Sequence, residues 1–155
     1  MSELSEHNKQ LAERWIKHCW DGNPDTEGTI EELLGEEAVG FLEGVIVRGL
    51  AEFRGFRDTY LTAIPNVRLS IESMVAEGAW VAVRWRAQGE LKGPLMGIPP
   101  SGKSIDVVGS TWLRFQGDKI VEGHDTWNQG AVLAYLADSP AGAGYLPGER
   151  RRIPA

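Results

Sequence analysis

Cysteine is almost missing from this chain: Cys19 is the only one in 155 residues. An internal disulfide and a cysteine-based metal cluster are thereby excluded, and the place of Cys19 inside an apolar helical stripe marks it as a buried structural thiol. No apolar run approaches the roughly 20 residues that a membrane span requires, and the N-terminal MSELSEHNKQ lacks a basic region followed by an apolar one. A soluble cytoplasmic protein is the expectation. Positive charge is also scarce, with a formal net charge of -6 and a pI near 5.1. Nucleic acid and anionic membrane are therefore not expected as partners, because like charges repel. The one basic run, Arg150 to Arg152, falls in the C-terminal tail. His7 and His18 stand too far from other ligand types to suggest a metal, so no metal site is expected.

What is present is enough apolar residue for a core, 42% of the chain, at a length that fits one domain over 1–138. Residues 139–155 are small, rich in Pro and Gly, and without apolar periodicity, which reads as a poorly structured tail. From about Ser5 to Trp20, Leu11, Ala12, Trp15, Ile16, Cys19 and Trp20 recur at helical spacing until Asp21-Gly22-Asn23-Pro24. A short second helix carries Ile30, Leu33 and Leu34 inward and stops at Gly35. Two brief extended pieces, Ala38–Leu42 and Val45–Val47, flank a turn at Glu43-Gly44. Gly49 opens a third helix whose stripe is Leu50, Phe53, Phe56, Tyr60, Leu61 and Ile64, ended by Pro65.

From Val67 the period becomes two. Val67, Leu69 and Ile71 alternate with Arg68, Ser70 and Glu72, and after a turn at Glu77-Gly78 Val81, Val83 and Trp85 alternate with Ala82, Arg84 and Arg86. An apolar loop, Leu91 to Gly102, is placed to rim a pocket opening. Ser101 to Asn128 then forms two alternating runs around a Gln116-Gly117-Asp118 turn, the pattern of a β-hairpin, so residues near Thr111 and Asp125 should face each other. Gly109 marks a bend or bulge in the first run, and Ala131–Leu136 closes the domain as a short helix.

Helices first and a long curved antiparallel sheet last give an α+β chain. It resembles the nuclear transport factor 2-like cone, with three N-terminal helices packed in the sheet, and within that superfamily the SnoaL-like polyketide cyclases. The residues that carry the resemblance are Val75–Gly78, Val81–Trp85, Gly97–Lys103, Leu113–Phe115 and Asp118–Glu122. The hairpin is also similar to the matching part of limonene-1,2-epoxide hydrolase, and both likenesses put an acidic catalytic residue at Asp125. Where the hydrolase has an Arg-x-Asp pair this chain reads Arg84-Trp85-Arg86. Thr111 stands where the cyclases commonly carry a histidine, Phe41 where they carry a polar residue in the first strand, and Asn128 where many relatives have a further aspartate.

The resemblance implies a cofactor-independent enzyme that moves a proton beside a carbonyl and so permits ring closure or isomerisation, acting on a small apolar or carbonyl-containing molecule. Asp125 is the acid/base, and a lining of tryptophans would raise its pKa, whereas Arg84 within reach would lower it. Arg84 is the expected catalytic partner, and Thr111, Arg86, Trp127, Trp112 and Phe41 are the expected substrate contacts. The bland readings are a structural Asp125–Arg84 bridge, one of the two arginines, Arg86 before Arg84, paired with Glu72, Glu90 or Asp106 at a sheet edge, and tryptophans that only pack. His124 has the wrong parity to share a face with Asp125, and Glu43 is a weaker second-carboxylate candidate. A non-catalytic ligand-binding or assembly protein on the same fold is the alternative, with epoxide hydrolysis behind it. The apolar strand face of Val81, Val83 and Trp85 is read as exposed, which leads to an expected homodimer through the sheet.

Overall fold

The structure, a computed structural model, describes residues 2–20 and 26–142. Helix α1 (Glu3–Cys19) begins at Ser2, whose hydroxyl accepts a hydrogen bond from the Ser5 N–H and so satisfies one of the free amides of the first turn. Leu11, Ala12, Trp15, Ile16 and Cys19 are buried along one side, as the spacing requires. The expected break at Asp21–Pro24 lies outside the described residues, as does the chain beyond Gly142, including Arg150 to Arg152. Helix α2 (Thr26–Leu33) passes directly into strand β1 (Leu34–Leu42). Gly35, the expected stop of α2, therefore lies within β1. A Cβ there would sit 3.0 Å from the Ile120 carbonyl oxygen, so its bare backbone serves a close approach between strands.

Strand β2 (Val45–Arg48) follows a tight turn in which Gly44 has φ of 76°. Then come α3 (Gly49–Ala63), β3 (Arg68–Glu77), β4 (Trp80–Glu90), β5 (Ser104–Gln116), β6 (Lys119–Trp127) and α4 (Gln129–Leu136). The strands form one six-stranded sheet in the order β2-β1-β6-β5-β4-β3. β1 pairs antiparallel with β2, and β3 with β4, β4 with β5 and β5 with β6 do the same, while β1 lies parallel to β6, with Gly40 opposite Gly123 and Phe41 opposite His124. A period of two describes both senses of pairing, which is why alternation alone did not distinguish this junction. No helix among the described residues is long and apolar enough to cross a membrane.

The sheet curves around α1 and α3. Val81, Val83 and Trp85 on β4, and Leu113 and Phe115 on β5, join the buried stripe of α1 and Phe53 of α3 in one core. A second cluster, built from Leu91, Leu95, Ile105, Val132 and Leu136, closes the opposite end beneath α4. The apolar face of β4 is thus the inner one. The expectation that Val81, Val83 and Trp85 form an exposed association surface is corrected here: all three are buried, because covering them with the helices removes large apolar side chains from water.

Gly109 is where β5 admits the Trp85 ring. A Cβ on it would fall 2.4 Å from Cζ2 of that indole and 2.9 Å from the Thr126 carbonyl oxygen. Gly109→Ala is accordingly expected to destabilise the fold by about 1–3 kcal/mol in chemical denaturation, since the neighbours are ring and backbone rather than a flexible chain end.

Candidate functional site

The β5–β6 hairpin pairs Thr111 with Asp125, and both point to the inner face together with Trp127. Across β4, Trp85 lies on the same face. Its indole Nε1–H donates to Thr111 Oγ1 at 2.9 Å, and the Thr111 hydroxyl donates to Asp125 Oδ1 at 2.7 Å. An indole nitrogen can only donate, so the threonine oxygen must accept from it and its single proton is committed to the carboxylate. The chain of bonds has one direction. Among the described residues nothing bonds Asp125 Oδ2, the oxygen left for a ligand.

Around this carboxyl group the structure forms a cavity of about 110 Å³ between the helices and the sheet. That is several times the roughly 10–15 Å³ needed for one water. Its walls are Ile16 of α1 and Trp20 just past its end, Phe56 and Tyr60 of α3 and Ile64 just past its end, Trp85, Val107 and Trp127 from the sheet, Leu95 from the loop and Val132 from α4. A smaller chamber of about 40 Å³ lies towards β1, β2 and α1, and Asp125 and Thr111 border both spaces. Among the described residues no Arg, Lys or His lines the main cavity.

Burial pushes the Asp125 carboxyl up to about 6, the loss of water being the largest cause. The Thr111 hydrogen bond opposes this, the negative charge of Glu43 adds to it, and His124 opposes it. Glu43, in the β1–β2 turn, accepts from the Trp127 N–H at 3.0 Å. Its charge therefore sits near Asp125 while one of its oxygens is occupied. The Tyr60 hydroxyl accepts from Gln129 Nε2 at 2.6 Å, and burial followed by the charges of Asp125 and Glu43 raises its pKa.

The expected site residues divide cleanly. Asp125, Thr111 and Trp127 come together at the cavity. Arg84 and Arg86 do not, because inward placement of Val83 and Trp85 turns their neighbours outward. Arg84 is exposed and 3.5 Å from Glu72, and Arg86 holds Asp106 with two donors across the outer face. The anticipated Arg84–Asp125 pair is absent, which leaves desolvation unopposed by a guanidinium. Trp112 and Phe41 also lie on the outer face, 51% and 41% exposed, where Phe41 stacks on His124 at 4.8 Å. The residues not anticipated as functional are Tyr60, Gln129, Trp20 and Phe56. A tyrosine in an otherwise apolar helical stripe was the available signal, since a buried hydroxyl needs a partner. Among the described residues no three His, Cys, Asp or Glu side chains are grouped to hold a metal ion.

A family model described as SnoaL-like polyketide cyclase matches residues 10–136. Among solved structures, a protein from Jannaschia sp. CCS1 described as a SnoaL-like polyketide cyclase superposes with a TM-score of 0.85 at 21% identity, over 90% of this chain and 98% of that one. AclR from Streptomyces galilaeus, described as a hydroxylase, gives 0.76 at 26% identity, over 88% and 99%. A protein of ketosteroid isomerase-like fold from Catenulispora acidiphila, solved with trimethylamine, gives 0.69 at 20% identity, over 89% and 98%. These likenesses show a shared fold, the nuclear transport factor 2-like one anticipated above. No protein of curated function matches the sequence.

Proposed function

The chain belongs to the SnoaL-like polyketide cyclase family, and from that premise we propose that it closes a ring in, or isomerises, a small carbonyl compound through Asp125. The ionised carboxylate takes a proton from the carbon next to a carbonyl, and the C–H electron pair passes into an enolate. In ring closure the enolate carbon attacks a second carbonyl of the same molecule, and the resulting alkoxide recovers the proton from the Asp125 acid. The steps balance without an external oxidant or reductant. One observation carries the reading: a carboxyl group fixed through Oδ1 by the Trp85–Thr111 chain, open at Oδ2, and raised to about 6 within an apolar cavity. A base with a pKa near working pH combines a useful ionised fraction with useful basicity.

The test is proton exchange on a plain ketone. The wild-type protein should catalyse exchange of the α-protons of 2-tetralone with D₂O, followed by proton NMR, with saturation in ketone. Exchange no faster than buffer for a panel of flat α-protonated ketones would favour ligand binding without turnover on this fold.

For association, the outer sheet face is the surface on offer. Trp112, Val75, Ile46 and Phe41 are exposed there, beside Trp80 and His124. A homodimer through this face should sediment at about twice 17.0 kDa, and Trp112→Asp should shift it toward monomer, since a charge buried without a partner at an interface is costly. A wild-type monomer at micromolar concentration contradicts this assignment.

A further inference from the structure

Among the described residues Tyr60 is the one hydroxyl-bearing ring in the wall of the main cavity, and its hydrogen bonding is one-sided. Gln129 Nε2 donates to the phenol oxygen at 2.6 Å, and among the described residues no group accepts the phenol proton. The ring stands edge-on to Trp127, with centroids 6.0 Å apart and planes at 72°. Trp127 in turn is two residues along β6 from Asp125, on the same face. A donor with a spare proton and a carboxylate with a spare oxygen therefore border one mainly apolar space. We infer that Tyr60, positioned by Gln129, is the hydrogen-bond donor to the substrate carbonyl whose neighbouring C–H bond Asp125 opens.

The assignment rests on the acid/base reading of Asp125. When the C–H pair moves into the enolate, negative charge collects on the carbonyl oxygen. Tyr60 keeps its proton and holds that oxygen by a hydrogen bond which strengthens as the charge grows, so the contact favours the transition state over the ground state. Burial raises the phenol pKa and keeps the group protonated while it does so. Gln129 fixes the direction of the hydroxyl from the first turn of α4, so helix and sheet meet at the reacting oxygen.

Tyr60→Phe removes only the hydroxyl and leaves the ring against Trp127. Two readouts separate its role from packing. In 2-tetralone exchange, kcat should fall about a hundredfold with KM changing little. In equilibrium binding, affinity for 2-tetralone should weaken roughly tenfold while affinity for tetralin, the same skeleton without the carbonyl, stays unchanged. Wild-type kcat and tetralone affinity in the variant would overturn the role of Tyr60 and leave Asp125 standing. Loss of exchange in Asp125→Asn with no change in Tyr60→Phe is that same outcome. Should the wild-type protein show no exchange, the reading of Asp125 falls, and the binding comparison still decides about Tyr60: an equal loss for tetralone and tetralin means the ring only packs.

Discussion

Replacing Asp125 with asparagine is expected to slow α-proton exchange of 2-tetralone by about a hundredfold or more, the usual contribution of a positioned general base. The substitution is nearly isosteric. An asparagine Oδ1 can still accept from Thr111, so the Trp85–Thr111 chain and the wall of the cavity persist. What disappears is the atom that accepts the substrate proton. Affinity for the ketone should change little, because the cavity is walled mainly by apolar side chains that the substitution leaves in place. A binding-only protein would show the opposite pattern, with no exchange to lose. A variant that exchanges protons at the wild-type rate would remove Asp125 from the chemistry.

The same substitution should stabilise the protein at neutral pH. The Asp125 carboxyl moves from 3.8 to about 6 on folding, so the folded state binds the proton more tightly than the unfolded chain. Stability from this group is fully present below pH 3.8 and is lost as pH rises through about 6. Across that window the wild-type protein should lose on the order of 3 kcal/mol relative to Asp125→Asn, whose side chain does not titrate. The groups acting on the carboxyl group are Thr111, Glu43 and His124, all retained in the variant. Urea denaturation at pH 4 and pH 8 measures the difference. Equal pH dependence in both proteins would mean that the carboxyl group is solvated in the folded state. A functional group that weakens the fold in its working form is the familiar conflict between site and stability.

The hairpin itself was legible from its turn and its two alternating runs, but counting from Gln116 opposite Lys119 would set Thr111 against His124. A register shift between Arg114 and Phe115 moves the ladder by one residue and brings Asp125 opposite Thr111. The outward direction of His124 followed by parity. Arg84 and Arg86 show where local pattern stopped. Alternation separates two faces of β4 but does not say which one a helix will cover, and the arginines were read toward the concavity. Burying Val81, Val83 and Trp85 costs nothing in desolvated charge, whereas burying two guanidinium groups would, so the helices settle on the apolar side. Phe41 and Trp112 share that outcome, being placed by parity on the side without helices. Tyr60 was hidden for another reason. Its partners Gln129 and Trp127 are far along the chain, and only the packing of α3 against α4 and β6 brings the hydroxyl beside them.

One carboxyl group, largely shut off from water and, among the described residues, without a cationic hydrogen-bond partner, is expected to titrate in the range of a working base. Carbon-13 NMR of protein labelled at aspartate carboxyls, with the Asp125 resonance assigned by its loss in Asp125→Asn, measures this directly. A midpoint near pH 6 is the expected result, and a midpoint at or below pH 4, the range of an aspartate in open water, would contradict the account.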